Sequence, residues 1–307
     1  MTWNPKDIFS LVQPVFKIWE LSGFPVYNLN SVTNSEHRNF VIGNFKISFV
    51  MIIYVVSNFV LYLYFYGVTY TLRSYVKFIQ VTSITVQNLG MIITSYTKRL
   101  QVLLLLSKIL KIEKLLLDSA QARLKYADIF KYYLKIVTPK YLLISVVCLF
   151  NVVYFYDGDK MGLVVGLYFY SGWFTDLNFE LLAVLFLILI NSLYILLIEE
   201  MTKMGQIRLG EMKKIYLLLQ DSSRTFHKAM QEMVFLKLVP DFVCSISSIY
   251  YGLFETMAND GFTFRGVTNL TGSALGIPSV IISNLCLVYF FEEISKQVNF
   301  IFFGING

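Results

Sequence analysis

The stretch from Asp176 to Gln206 limits the possible folds of this chain more than any other. It opens with DLNFE, continues as LLAVLFLILINSLYILLI without a charge, and ends in EEMTKMGQ. The uncharged run Leu181–Ile198 has 18 residues. At ~1.5 Å per residue, such a helix almost crosses a hydrocarbon layer ~30 Å thick. Basic residues follow at Lys203 and Arg208. The pattern predicts one long helix that leaves a membrane and continues into a basic compartment.

The composition of the whole chain agrees with a membrane protein. Of 307 residues, 56% are hydrophobic and only 15% are charged, whereas an average soluble domain has about 25% charged residues. A soluble fold of this size could not keep so much apolar surface from water. Continuous apolar runs with few Pro and Gly residues favour helices over the alternating segments of a membrane barrel. We therefore predict an all-α, polytopic transmembrane helical bundle.

Six apolar segments are candidates for membrane-spanning helices. The predicted spans are 45–70, 75–97, 137–156, 174–199, 236–256 and 267–291. The segments 98–136 and 200–235 carry apolar residues at helical spacing with many lysines between them, which predicts helices outside the membrane. The alternative for the first of these is a basic amphipathic helix lying on lipid. Before the spans, Asp7–Tyr27 predicts a mildly amphipathic helix that Gly23 and Pro25 end.

The distribution of basic residues predicts the orientation. With a cytoplasmic amino terminus, the inner segments hold 22 basic residues and the outer segments hold four. The inner segments in this count are 1–46, 98–140, 199–237 and 292–307. Positive charge collects on the cytoplasmic side of membrane proteins, so we expect the amino terminus inside. Six spans then place residue 307 inside as well.

Several classes of function lack a signal in this sequence. No metalloprotease, Walker or nucleophile-elbow motif is present, so we expect neither an enzyme nor a cofactor. The two histidines, His37 and His227, lie far apart, and we expect no metal site. The net charge of +6 is attributed to loops that face an anionic leaflet rather than to nucleic acid. The cysteines lie in apolar runs, which indicates free thiols.

Aromatic and acidic residues collect near the predicted outer ends of the spans. Aromatic walls with a few hydrogen-bonding groups suit small organic ligands. The predicted ligand-binding residues are Tyr154, Tyr168, Tyr170, Trp173, Asp176, Tyr251 and Glu255. Alternatively, the rings form an interfacial aromatic belt and the carboxylates simply reach water. Gln87 and Asn88 lie in the middle of the second span, where hydrogen bonds between helices are commoner than ligand contacts.

Two segments carry a resemblance to the insect chemoreceptors, and within them to the gustatory receptors. VFKIWELSGFPVYN at Val15–Asn28 resembles the aromatic amino-terminal segment of that family, and LILINSLYILLIEEMTKMGQ at Leu187–Gln206 resembles its fourth span running into the cytoplasm. The resemblance implies seven helices per subunit and four identical or related subunits around one cation pore. It also implies a cytoplasmic anchor built from the inner ends of helices four to seven. A small-molecule tastant would bind between the helices of each subunit, in the plasma membrane of a sensory neuron.

The resemblance has one departure, and it leaves alternatives open. The family has a Thr-Tyr pair followed by Gln-Phe in its seventh helix, and this signature is absent from a chain that ends in NFIFFGING. We therefore expect that conduction needs a seventh helix or a full-length partner. One alternative is a G-protein-coupled type of receptor, which would need an outer amino terminus. Another is a non-conducting modulatory subunit. Asn269 begins a glycosylation acceptor sequence close to the sixth span.

Overall fold

The computed structural model describes residues 5–25, 27–29, 40–42, 46–66, 72–156, 160–203, 209–250 and 264–306. These residues form eight helices and one short antiparallel ribbon. The helices are α1 Ile8–Leu21, α2 Lys46–Tyr66, α3 Leu72–Thr97, α4 Arg99–Ala120, α5 Tyr126–Tyr156, α6 Lys160–Lys203, α7 Leu209–Ile249 and α8 Phe264–Asn306. Strands β1 Tyr27–Leu29 and β2 Phe40–Ile42 pair with Asn28 opposite Val41.

Helix α1 has clear start and stop signals. The Asp7 carboxylate accepts a hydrogen bond from the Ser10 backbone N–H at 2.8 Å. In return, the Asp7 backbone N–H donates to the Ser10 hydroxyl. The helix ends before Gly23, which has a φ of +81°. Residues with a side chain rarely adopt this backbone conformation. Its apolar face, which includes Leu11 and Trp19, is buried. The predicted amino-terminal amphipathic helix is therefore confirmed.

Helix α6 is the centre of the bundle and contacts each of the other seven helices that the structure describes. Every side chain from 177 to 190 is buried, and the apolar face continues through Leu193, Tyr194 and Leu197. A helix that is apolar all round needs other helices or lipid on every side, and here other helices cover it. The run that dominates the sequence thus forms the core of the molecule.

Helices α6 and α7 run antiparallel as a long hairpin. The Tyr194 hydroxyl lies 3.2 Å from the Ser223 hydroxyl, and Lys237 near the far end of α7 reaches Asp176 at 2.7 Å. Helix α4 packs along the same part of α7, where Lys108 pairs with Asp221 at 2.6 Å. The amino-terminal half of α7 is charged, and we call it the lower half of the helix. It therefore lies beside the apolar run of α6.

The helical bundle is confirmed, but six spans are not supported. Within the described part of the chain, two stretches are long and apolar enough to cross a membrane, Tyr75–Thr97 and Phe174–Lys203. The apolar helix Ser48–Tyr64 is shorter, and the other predicted spans lie on helices that also carry charged turns or extend beyond the described residues. Phe174–Lys203 is mostly buried, and the core helix of a soluble protein can be equally apolar.

Two further sequence predictions can be compared with the helices. The segment 98–136 was expected to be helical, and it forms α4 and the first turns of α5. The all-α prediction missed the ribbon of β1 and β2, which is only three residues long on each side. Helices α5, α7 and α8 continue through Pro139, Pro240 and Pro278 without a break.

Candidate functional site

Five ionisable side chains meet at one level of the bundle, and we call them the charge layer. They are Lys140, Asp176, Glu180, Lys237 and Asp241. Asp176 and Glu180 lie four residues apart on α6, and Lys237 and Asp241 lie four residues apart on α7. Residues at this spacing share one helix face, so the two pairs stack against each other across the hairpin.

Lys237 is the centre of the charge layer. Its Nζ lies 2.7 Å from Asp176 Oδ2, 2.9 Å from Glu180 Oε1 and 2.6 Å from Asp241 Oδ2. The side chain is only 1% exposed. Three carboxylates thus compensate one buried ammonium group that could not remain charged in an apolar interior without partners.

The neighbouring helices add further contacts to the layer. Lys140 of α5 pairs with the second oxygen of Glu180. The Gln87 amide of α3 donates to Asp176 Oδ1 at 3.1 Å, and the Asn284 amide of α8 donates to Asp241 Oδ2 at 3.2 Å. The layer therefore connects α3, α5, α6, α7 and α8. The expectation that Gln87 bonds between helices is confirmed.

Asn178 forms a second polar connection just beside the layer. Its amide donates to the Ser22 hydroxyl at the end of α1, and its carbonyl accepts from the Tyr141 hydroxyl at 2.8 Å. Asn88 differs, because it is fully buried and neither atom of its amide has a partner among the described residues.

A small cavity adjoins the charge layer. Its volume is about 30 Å³, which is enough to admit water. The lining residues are Ile84, Gln87, Ile144, Gly172, Asp176, Lys237, Asp241, Cys244, Val280 and Ser283. The cavity therefore has room for water beside Asp176, Lys237 and Asp241.

The three carboxylates of the charge layer converge on an ammonium group. No group of three His, Cys, Asp or Glu side chains that could hold a metal ion occurs in the part of the chain that the structure describes. The physical reason is visible at Lys237, whose ammonium group fills the point on which the three carboxylates converge. Cys244 beside the cavity and Cys286 on α8 are both free thiols.

Comparison with known proteins adds no assignment. The sequence matches no protein-family model and no curated protein. The functional interpretation therefore depends on the residues and the geometry of this chain.

Of the predicted ligand-binding residues, Asp176 is the one whose side chain the structure describes. It faces Lys237 and Gln87 instead of standing alone at an outer rim. Tyr154 belongs to α5, and Tyr168, Tyr170 and Trp173 belong to α6, but their side chains lie outside the described set. Tyr251 and Glu255 lie outside the described residues altogether. The predicted ligand set stays a prediction.

The sequence analysis missed Lys140, Lys237 and Asp241 as site residues. Their signal was nevertheless present in the sequence. Asp241 is a carboxylate inside the predicted span 236–256, and Lys237 precedes it by one helical turn. An oppositely charged pair at this spacing within an apolar segment indicates a buried polar network, because an isolated charge there would be expensive.

Proposed function

We propose that this chain is a gustatory-type chemosensory receptor subunit that forms a ligand-gated cation channel with related subunits in the plasma membrane. The observation that carries the proposal is the change of exposed surface along α7 at the charge layer. Above Asp241, the exposed side chains of α7 are apolar and include Phe242, Ile246 and Ile249. Below Lys237, most exposed side chains are polar or charged. One half of the helix suits lipid, and the other half suits water.

The lengths of the helices agree with this division. Helix α6 has 44 residues and α7 has 41, and at ~1.5 Å per residue each is about twice as long as a ~30 Å hydrocarbon layer is thick. Long helices that pass from lipid into a cytoplasmic bundle are what the family resemblance implies. We place six membrane crossings on the side of the charge layer where Phe242 and Ile249 lie. The amino terminus and α4 are then on the cytoplasmic side.

This placement moves the fourth crossing toward the first half of α6. Tyr194 lies at the level of Ser223, and the neighbouring α7 residues Asp221, Arg224 and Lys228 are exposed. A lipid layer at that level would surround three exposed charges, which is strongly unfavourable. In the proposal, Leu181–Ile198 is the core of the cytoplasmic bundle, and the crossing uses the part of α6 before the charge layer.

The proposed tastant site remains on the outer side of the charge layer. The predicted aromatic residues Tyr154, Tyr168, Tyr170 and Trp173 belong to the turns of α5 and α6 nearest their outer connection. Ring faces in this position would stack on a small organic molecule.

Cysteine accessibility tests the membrane placement. In a background with Cys148, Cys244 and Cys286 replaced by serine, we would introduce Asp221→Cys and Phe242→Cys separately. A membrane-impermeant maleimide should label the first variant only after permeabilisation and should leave the second unlabelled. Labelling of Asp221→Cys on intact cells would contradict a cytoplasmic lower half and would favour the G-protein-coupled orientation.

The channel proposal needs a second measurement. Cells that express the chain with candidate partner subunits are exposed to a tastant panel while cation entry is recorded. We expect responses that require external cations and persist when G proteins are inhibited. Responses that G-protein inhibition abolishes would refute a channel. Trp173→Ala should weaken tastant responses without lowering surface expression.

A further inference from the structure

The exposed face of α5 changes from lysine to apolar side chains near the charge layer. Lys131 and Lys135 are exposed, and the same face continues with Leu142 and Leu149, which are each 63% exposed. Residues four and seven apart lie on one side of a helix, so these four side chains form a single stripe. Lys140 of the charge layer lies between the lysines and the leucines, and its own side chain is mostly buried. The stripe is therefore basic on one side of the charge layer and apolar on the other.

Helices α1 and α5 run in the same direction beside each other. Near the charge layer, Asn178 bonds to both Ser22 of α1 and Tyr141 of α5. At the other end, Asp7 at the start of α1 is close enough to act electrostatically on Tyr126 at the start of α5. Fifteen residues separate these two levels on each helix. Residues that are equally far from the two ends therefore lie at nearly the same height.

Lysines of both helices lie at one such height. Lys17 precedes Ser22 by five residues, and Lys135 precedes Tyr141 by six. Lys17 is exposed, and Leu21 one turn later is 61% exposed. Two helices thus change from lysine to leucine at the same level. This order is typical of the inner headgroup region of a bilayer, where ammonium groups meet phosphates and apolar side chains meet acyl chains.

The lysine pair of α5 is available to an anion. Neither Lys131 nor Lys135 forms an ion pair in the part of the chain that the structure describes, and Asp128 is the one acid in 126–140. Tyr132 beside them is 45% exposed and packs edge-on against Phe290 of α8, with 6.4 Å between the ring centroids. Half-exposed tyrosines are enriched at the membrane–water interface.

Helix α8 is less suited to an anion at this level. Glu292 already pairs with Lys296 at 3.0 Å. Glu293 is close enough to Tyr132 to act on it electrostatically. An anion beside α8 would meet these carboxylates, so the lysines of α5 are the better site.

We propose that Lys131 and Lys135 bind the headgroup of an anionic phospholipid of the cytoplasmic leaflet, whose acyl chains lie against Leu142 and Leu149. Lys135 and Leu149 are ~21 Å apart along the helix at ~1.5 Å per residue. This is about half of the ~40–45 Å that a bilayer measures with its headgroups, so the stripe matches the length of one phospholipid. The lipid site rests on the membrane placement proposed above, but it requires neither a tastant nor a channel.

Lipid competition on the purified full-length chain in detergent tests the site. Förster transfer from the tryptophans of the chain reports binding of phosphatidylserine that carries pyrene on one acyl chain. Unlabelled phosphatidylserine and phosphatidylcholine with identical acyl chains are the competitors. We expect phosphatidylserine to compete about 30-fold better at low ionic strength, because each lysine favours an anionic headgroup. High salt should reduce this preference, since it screens exposed charges. Soluble glycerophosphoserine has the same headgroup without acyl chains and should not compete.

Matched variants locate the site. Lys131→Gln combined with Lys135→Gln should remove most of the preference for phosphatidylserine. Lys131→Arg combined with Lys135→Arg keeps both charges and should retain it. Lys213→Gln combined with Lys214→Gln is the control, because it removes two exposed lysines from the start of α7. Lys213 precedes Lys237 by 24 residues, so it lies ~36 Å from the charge layer at ~1.5 Å per residue. The control should keep the full preference.

Each of four results would overturn the lipid site. Equal competition by the two phospholipids would mean that the headgroup is not recognised. An undiminished preference in the double glutamine variant of α5 would place the recognition elsewhere. Competition by glycerophosphoserine as strong as that of the phospholipid would indicate a site for a free phosphate compound. Recovery of the chain from the aqueous fraction without detergent would refute the membrane placement together with the lipid site, whereas the first three results would leave that placement intact.

Discussion

Helix α6 passes through two contrasting environments within a few turns. At Asp176 and Glu180 it carries carboxylates that depend on Lys140 and Lys237 from other helices. From Leu181 to Ile190 it carries apolar side chains that are buried on all sides. The apolar core provides most of the buried area, but its many similar Leu and Ile side chains distinguish one register from another only weakly. The charge layer provides few contacts, but each has a particular partner.

The apolar core and the charge layer therefore have different structural roles in the α6–α7 hairpin. A slide of one helical turn, about 5.4 Å, would exchange one leucine contact for another in the core. The same slide would move Asp176 and Glu180 away from Lys237 and leave buried charges without partners. We infer that the apolar core stabilises the hairpin while the charge layer fixes its register, a role in which buried polar groups are well attested.

The largest loss of stability is expected when the central ammonium group of the charge layer is removed. Lys237→Met should destabilise the chain by about 3–5 kcal/mol, because three mostly buried carboxylates would lose their common partner. Chemical unfolding in detergent measures this cost. The control is Lys296→Met on α8, which is 61% exposed like its partner Glu292, and about 0–1 kcal/mol is expected there. Equal costs for the two variants would mean that the layer has no special role.

The second prediction concerns the apolar core itself. Leu189 is fully buried at the centre of α6, and Leu189→Ala should cost about 2–5 kcal/mol through lost burial and the cavity left behind. Ile246→Ala removes a similar side chain that is 52% exposed on the upper half of α7. Its cost in the same unfolding measurement should stay within about 0.5 kcal/mol. A Leu189→Ala cost that small would show that the core can collapse around the missing atoms.

The sequence was sufficient to predict the helices of the apolar core and the charge layer. It was not sufficient to predict how these helices pack against each other. The apolar periodicity of 98–136 and the uncharged run Leu181–Ile198 predicted helices that the structure contains. These patterns are local, because each helix face repeats within a few residues. Which helices cover α6 is a tertiary property. An apolar run of 18 residues has the same appearance whether lipid or other helices surround it.

The charge layer was harder to predict for the same reason. Asp176 was predicted to be a ligand-binding residue at the outer end of a span, but its partner Lys237 lies 61 residues away in sequence. Lys237 was instead counted as a basic residue of the inner segment. Its pairing requires the antiparallel alignment of α6 and α7, and contacts such as Tyr194 to Ser223 set that alignment. Sequence pattern alone contains no direct signal for it.

A third prediction tests how tightly α6 fits against α3 beside the charge layer. A Cβ on Gly172 would lie 2.5 Å from Ile84 Cγ2. Gly172→Ala should therefore cost about 1–3 kcal/mol through overpacking. Gly210→Ala on α7 is the control, because nothing lies within 4 Å of its Cβ position. That variant should be neutral or slightly stabilising in the same thermal unfolding measurement. Similar losses at both glycines would indicate a general intolerance of alanine rather than close packing.

A fourth prediction concerns the isolated polar contact within the apolar region. The Tyr194 hydroxyl lies 3.2 Å from the Ser223 hydroxyl. Tyr194→Phe removes this hydrogen bond and keeps the ring, so we expect a loss of about 0.5–1.5 kcal/mol. Tyr289→Phe changes a ring that is 53% exposed and should have almost no effect on the unfolding free energy. If the two variants are equally stable, the Tyr194–Ser223 contact contributes nothing to the alignment of α6 with α7.

The smallest expected effect comes from Glu113 of α4, a carboxylate outside the charge layer. Burial raises the pKa of Glu113, and the Tyr126 hydroxyl and Arg123 only partly oppose this shift. Because the folded state holds the proton more tightly than the unfolded chain, Glu113 lowers stability as pH rises through its raised pKa. The loss is complete above that pKa and absent below the usual carboxyl pKa near 4. Glu113→Gln should therefore raise the unfolding midpoint slightly at pH 7, and the difference should vanish as the pH falls toward 4. A difference that stays constant across this range would show that the charge of Glu113 is not its cause.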